Sequence, residues 1–203
     1  MKMLEELQEF KKFKETYQFE PKEIEEMDEK EYCDGYPLMN DEGEMIGECE
    51  RWINVGYKHK DSLAKVLSNL FPYEFEFRGK KLSSIEAFFQ GIKFKEINMQ
   101  NCVFSYSGLD SNRVKVCSGY DWKTTGKLYW QGQEIDRYSK EYDDLVDELY
   151  ICAIQNPLYR NVLKICNVYI MHSIGGKEKT DTVFTRYEFE RQLNCLKDFL
   201  KSK

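Results

Sequence analysis

The segment that most constrains this chain is residues 67–94, LSNLFPYEFEFRGKKLSSIEAFFQGIKF. Tyr73, Phe75 and Phe77 alternate with Glu74 and Glu76, the period of a strand with one buried face. Arg78, Gly79 and Lys80 supply a turn. Residues 83–94 then switch to helical spacing. Ile85, Phe88, Phe89 and Ile92 form an apolar stripe, and Ala87, Gly91 and Phe94 leave the opposite side uncharged. Such a helix is buried almost all round, so the fold must wrap other elements about it. Even so, Glu86, Gln90 and Lys93 fall on one line of its surface.

Glu86 and Lys93 are seven residues apart, so on an ideal helix they nearly eclipse, about 10 Å apart along the axis. Gln90 lies between them. Two long side chains at that spacing can flank a sugar-sized group. A lysine among Phe89, Ile92 and Phe94 should lose solvation, which favours a neutral, nucleophilic amine. A nearby carboxylate can move protons. Structural readings fit the same residues. Ser83 and Glu86 have capping-box spacing, and Lys93 can snorkel to water along an apolar surface. Local geometry leaves both open.

The rest of the 203 residues reads as one domain with a substantial core. Residues 1–50 hold 6 basic and 17 acidic side chains, a net charge of −11, whereas residues 51–203 carry +5. We therefore expect an acidic N-terminal extension over residues 1–45, able to contact a protein partner, and a main domain over 46–203. The mildly cationic body suits a phosphate-bearing ligand. No run approaches the roughly 18 apolar residues of a membrane helix. The N-terminal stretch lacks the apolar core of a signal peptide, so a cytoplasmic location without membrane contact is expected. The seven cysteines are odd in number and form no C-x-x-C pair, which points to reduced, mostly buried thiols. With two histidines and scattered cysteines, no metal site and no cofactor are expected.

Residues 2–16 have helical spacing, with Leu4, Leu7, Phe10 and Phe13 or Tyr17 on one side. A strand is expected within 46–57, a polar connector over 105–119, and a short helix from Asp121 running into a turn at WQGQ. Helices follow over 139–155 and from an Asn156 cap with Pro157 at its first position. Residues 168–173 read as a buried strand. Thr185 and Glu188 form a capping box for a final helix. This order predicts a helix-rich α+β single domain with a small antiparallel sheet.

The 67–94 segment resembles the signature of the NADAR, or YbiA-like, family, through Ser68, Asn69, Gly79, Ser84, Glu86, Gln90, Lys93 and Phe94. Asp121-Trp122 after the polar connector and the Asn156-Pro157 step extend the resemblance over about 46–196. It implies a YbiA-like fold and an N-glycosidase that releases ADP-ribose or ribose phosphate from a nitrogen. The implied substrate is ADP-ribosylated guanine in a nucleotide or nucleic acid, as in antitoxins that reverse DNA ADP-ribosylation. The alternatives are a riboflavin-pathway ribose phosphate, or a module that binds ADP-ribose or NAD without cleaving it. Glu86 and Lys93 carry over as catalytic residues and Trp122 as a wall or stacking surface. Asn69 either caps the turn it sits in or contacts ribose hydroxyls, with Ser68, Ser84 and Gln90 beside it in the motif. Arg113 is a candidate phosphate partner. His172 is a candidate contact preceding Gly175 and Gly176, whose backbone can face a diphosphate. The chain departs from the family in two places. HSIGGKEKTDTVFT replaces an Asp-x-x-Trp-Gly segment, and an insertion follows Trp122.

Overall fold

The computed structural model describes residues 2–21, 38–39, 45–47, 52–58, 62–114, 117 and 121–203. Helix α1 spans Lys2–Thr16. Strands β1 (Leu38–Met39), β2 (Met45–Gly47) and β3 (Trp52–Asn54) precede a short helix, α2 (Ser62–Val66). Next come β4 (Phe75–Phe77), β5 (Lys80–Leu82), α3 (Ile85–Gly91), α4 (Ile97–Phe104), α5 (Gly108–Val114) and α6 (Asp121–Thr125). The chain continues through β6 (Lys127–Trp130), β7 (Gln133–Asp136), α7 (Lys140–Ala153), α8 (Pro157–Ile165), β8 (Tyr169–Met171) and α9 (Arg186–Lys201). The architecture is helix-rich α+β. Its strands form separate pairs: β1–β2, β4–β5 and β6–β7 are antiparallel, and β3–β8 is parallel.

The alternation in YEFEF folds as expected: Phe75 and Phe77 are buried, and Glu74 and Glu76 are exposed. Arg78 and Gly79 both take positive φ, 46° and 72°, the mirror-image turn whose twist matches paired strands. Gln131 and Gly132 repeat that geometry at 47° and 85°. The insertion after Trp122 is therefore a second hairpin, β6–β7. Its Trp130 is a core residue, with ring centroids 4.9 Å from Phe77 and 5.5 Å from Phe104. Phe77 and Trp130 also pack on Phe88 of α3, with centroids 5.4 and 5.8 Å away.

The expected caps of the two helices that begin at Asn156 and Thr185 are present, and Ser139 caps the helix between β7 and Asn156. Ser139 accepts from the Tyr142 amide, Asn156 from Leu158 and Tyr159, and Thr185 with Glu188 forms the capping box of α9. One edge of β8 pairs with β3, Ile53 opposite Ile170. The other is bracketed by Asn194, which accepts from the Ile170 amide at 3.0 Å and donates to its carbonyl at 2.7 Å. The fully buried Glu190 accepts from Arg186 Nε, the Tyr169 hydroxyl and the His172 amide. Buried charge of this kind is stable only when its oxygens are satisfied.

The expected 1–45 extension divides. Helix α1 packs into the body: Phe10 is fully buried, 5.3 Å from the Phe199 ring, and Tyr17 donates to Asp198 at 2.8 Å. Its inner face is rotated from the expected stripe. Glu6 is buried against Arg160 and Gln155, while Leu4 is exposed. Apart from residues 2–21, 38–39 and 45, the extension lies outside the described residues. Cys152, Cys166 and Cys195 are buried, whereas Cys102 and Cys117 are exposed.

Candidate active site

Helix α3 is set by three contacts. Ser84, in extended conformation at φ −169°, accepts from the Ala87 amide at 3.1 Å and is the N-cap. Ser83 instead donates its hydroxyl to the Tyr106 carbonyl. The Glu86 amide donates to the Asn69 carbonyl at 2.9 Å. The Ser83–Glu86 capping box is thus absent, and the Glu86 side chain is released from any capping role. At the other end Gly91 lets α4 close in, since a Cβ there would lie 2.3 Å from Phe104 Cε1. The helix stops at Gly91, shorter than the expected 83–94, and Lys93 sits in the following turn.

The three polar residues meet as a hydrogen-bonded chain. Lys93 Nζ donates to Gln90 Oε1 at 2.7 Å, and Gln90 Nε2 donates to Glu86 Oε1 at 2.7 Å. A fourth residue joins from α5: Asn112 Nδ2 donates to the same Glu86 oxygen at 2.7 Å. The half-buried Lys93 also lies 5.2 Å from the centre of the Trp122 ring. Lys123 approaches that ring too, at 5.7 Å. Trp122 is 6% exposed, so it walls the site and contacts Lys93 rather than offering an open stacking face. An amine and a carboxylate held apart by an amide can act on one ligand without neutralising each other.

The other expected residues divide by location. Asn69 is at the site: its carbonyl holds the Glu86 amide and its Oδ1 accepts from Tyr150 at 2.9 Å. Ser68 and Ser84 do not meet the expectation of substrate contact. Both are buried, and their hydroxyls are used in a turn, accepting from Leu70, and in the α3 cap. Arg113 follows Asn112 but is exposed and paired with Asp110 at 3.0 Å. His172 Nδ1 lies 2.8 Å from the Val55 carbonyl. A carbonyl only accepts, so Nδ1 carries the proton and the neutral ring presents Nε2 as an acceptor. Burial holds its pKa below the usual histidine range, opposed by the Val55 hydrogen bond and the charge of Glu190. The Glu86 charge also reaches this ring. Gly175 borders it at φ +132°, a conformation that favours glycine.

Asn112 and Phe184 are the residues that sequence reasoning missed. Asn112 lies in the stretch expected to be a connector. Phe184 ends the HSIGGKEKTDTVFT loop and stacks on Phe89 with centroids 4.7 Å apart and planes at 17°. Its only sequence signal is an aromatic immediately before the Thr185 capping box.

A separate cleft of about 440 Å³ runs between α1, α7 and α9, with Glu86, Gln90 and Lys93 outside its lining. Its charges largely pair among themselves, Lys11 with Asp144 and Lys179 with Glu188. Among the described residues no group of three or more His, Cys, Asp or Glu side chains is placed to hold a metal ion. No helix among them is long and apolar enough to cross a membrane.

The sequence model of a family described as bacteriophage protein GP30.3 matches residues 62–198. The chain belongs to the GP30.3 family. The match takes in every residue of the hydrogen-bonded chain and Trp122, and begins beyond α1. A relative in Enterobacteria phage T4, the uncharacterized 17.1 kDa protein of the Gp30–rIII intergenic region, is 34% identical over 139 residues. That alignment covers 66% of this GP30.3-family chain and 90% of the phage T4 protein. Among solved structures, the NMR structure of the E. coli protein YbiA is 14% identical with a TM-score of 0.46. It covers 75% of this chain and 83% of that one.

Proposed function

We propose that this GP30.3-family protein is an N-glycosidase that removes ADP-ribose from a nitrogen, with ADP-ribosylated guanine in nucleic acid as its substrate. The single observation that carries the reading is the hydrogen-bonded set Lys93–Gln90–Glu86–Asn112 against Trp122. The resemblance of residues 67–94 to the NADAR signature supplies the substrate class.

Cleavage consumes one water: the C1″–N bond breaks, C1″ gains an oxygen, and the departing guanine nitrogen gains a proton. In one route Glu86 accepts a proton from water as it attacks an oxocarbenium-like C1″. In the other the sugar ring opens and the neutral Lys93 amine attacks C1″. The guanine nitrogen then leaves with a proton, and water hydrolyses the Lys93 Schiff base. Both routes end in free ADP-ribose and unmodified guanine.

The test is release of ADP-ribose from ADP-ribosylated DNA by the wild-type protein, Glu86→Gln and Lys93→Ala. We expect each variant to lose turnover by about 10²-fold or more. Unchanged release by both would overturn the site. Borohydride trapping of a protein–sugar adduct separates the two routes. Preferential turnover of an aminopyrimidine ribose phosphate would reassign the substrate, and tight ADP-ribose binding without product would make the protein a sensor.

A further inference from the structure

We infer that Asn112 is a positioning residue that, with Gln90, fixes the Glu86 carboxylate so that one oxygen is held by the protein and the other faces the ligand. For its catalytic consequence this rests on the reading above; the geometry itself does not.

The hydrogen-bond chain has a fixed polarity. A carboxylate only accepts, so the amide beside it must turn its nitrogen to it. The Gln90 amide therefore points its nitrogen to Glu86 and its oxygen to Lys93. Asn112 then adds a second N–H to Glu86 Oε1. The terminal torsion of a glutamate is broad and holds no preferred plane by itself. Two donors converging on one oxygen, from different helices, remove that freedom. Oε2 accepts no hydrogen bond from the described residues and remains available to a ligand hydroxyl or an attacking water.

The two helices that converge are registered by one short loop. The Asn69 carbonyl holds the Glu86 amide at the start of α3. At the next residue the Leu70 backbone seats Gly108, the first residue of α5, where a Cβ would come within 2.2 Å of the Leu70 oxygen. Adjacent peptide units thus set where both Glu86 and Asn112 stand. On the far side Tyr150 donates to the Asn69 side chain and braces the loop. Asn112 is half-buried on a helix whose outer face carries the Asp110–Arg113 pair, so its inward amide is not a surface polar group.

The deciding substitution is Asn112→Asp, which keeps shape and volume but turns the donor into an anion facing Glu86. A positioning role predicts a kcat loss of about 10²-fold for Asn112→Asp, a smaller loss for Asn112→Ala, and a KM that stays within about threefold for both. A packing role predicts the reverse order, with Asn112→Asp near wild type. Either that order or a loss confined to KM would overturn the proposal. A readout without substrate keeps it apart from the functional reading: the side-chain amide resonances of Asn112 in wild type and Glu86→Ala. We expect the Asn112 signals to move toward those of a free amide in Glu86→Ala. Unmoved signals would sink the contact. A wild-type protein without turnover but with moved signals would sink only the glycosidase reading.

Discussion

Asn112 and Glu86, 26 residues apart and on different helices, are joined by a 2.7 Å hydrogen bond from amide to carboxylate. That contact changes what the first turn of α3 means. Glu86 sits at capping-box spacing from Ser83, yet its side chain points across to α5 and along to Gln90, while Ser84 alone caps the helix.

Stability and chemistry should therefore separate by residue. Ser84→Ala removes the hydroxyl that accepts the Ala87 amide and should cost about 1 kcal/mol. Glu86→Gln should cost less, because a glutamine oxygen still accepts from Gln90 and Asn112. Urea denaturation of both variants checks the order. A larger loss for Glu86→Gln would restore the capping reading.

Glycine positions offer a second separation. Gly108→Ala would drive a Cβ into the Leu70 backbone, so it should destabilise by about 1–3 kcal/mol and displace α5 with Asn112. Gly56→Ala meets nothing within 4 Å and should be neutral or slightly stabilising. Thermal melts of the pair, with turnover measured alongside, test whether the Leu70 contact registers α5.

His172 predicts a pH dependence with a definite sign. Its folded pKa is depressed, first by burial, against an unfolded value of about 6.5. The unfolded state then binds more protons, so the histidine contributes stability above about pH 6.5. That stability is lost as pH falls from there toward the folded pKa. Asn keeps an N–H for the Val55 carbonyl but does not titrate. The stability difference between wild type and His172→Asn should shrink between pH 7.5 and 5.5 in urea titrations. A constant difference would show that the ring does not titrate with folding.

Much of the local structure is legible without coordinates because its causes are local. The YEFEF alternation, the Arg78-Gly79 turn, the Asn156-Pro157 helix start and the Thr185–Glu188 box each need only a few adjacent residues. The site is legible to the extent that Glu86, Gln90 and Lys93 share one helix and its exit turn. Asn112 is not, because a polar residue in a stretch rich in Ser and Gly looks like a connector. In the fold that stretch is helical, and Gly108 at its start seats on the Leu70 backbone. Nor is the packed α1: the acidic residues that follow it suggest an extension, but Phe10 finds Phe199 and Glu6 finds Arg160 across more than 150 residues.

The sequence by itself determined the helix-rich α+β class and the line of carboxylate, amide and amine along α3 and its exit turn, since both follow from periodicity and helical spacing. Only the tertiary structure decided that Ser84 rather than Ser83 caps that helix, that Trp122 is a buried wall, and that Glu86 is held from α5. Those outcomes depend on which groups distant segments bring to within hydrogen-bonding distance. That is set by packing of the whole core and is not encoded in any one stretch of it.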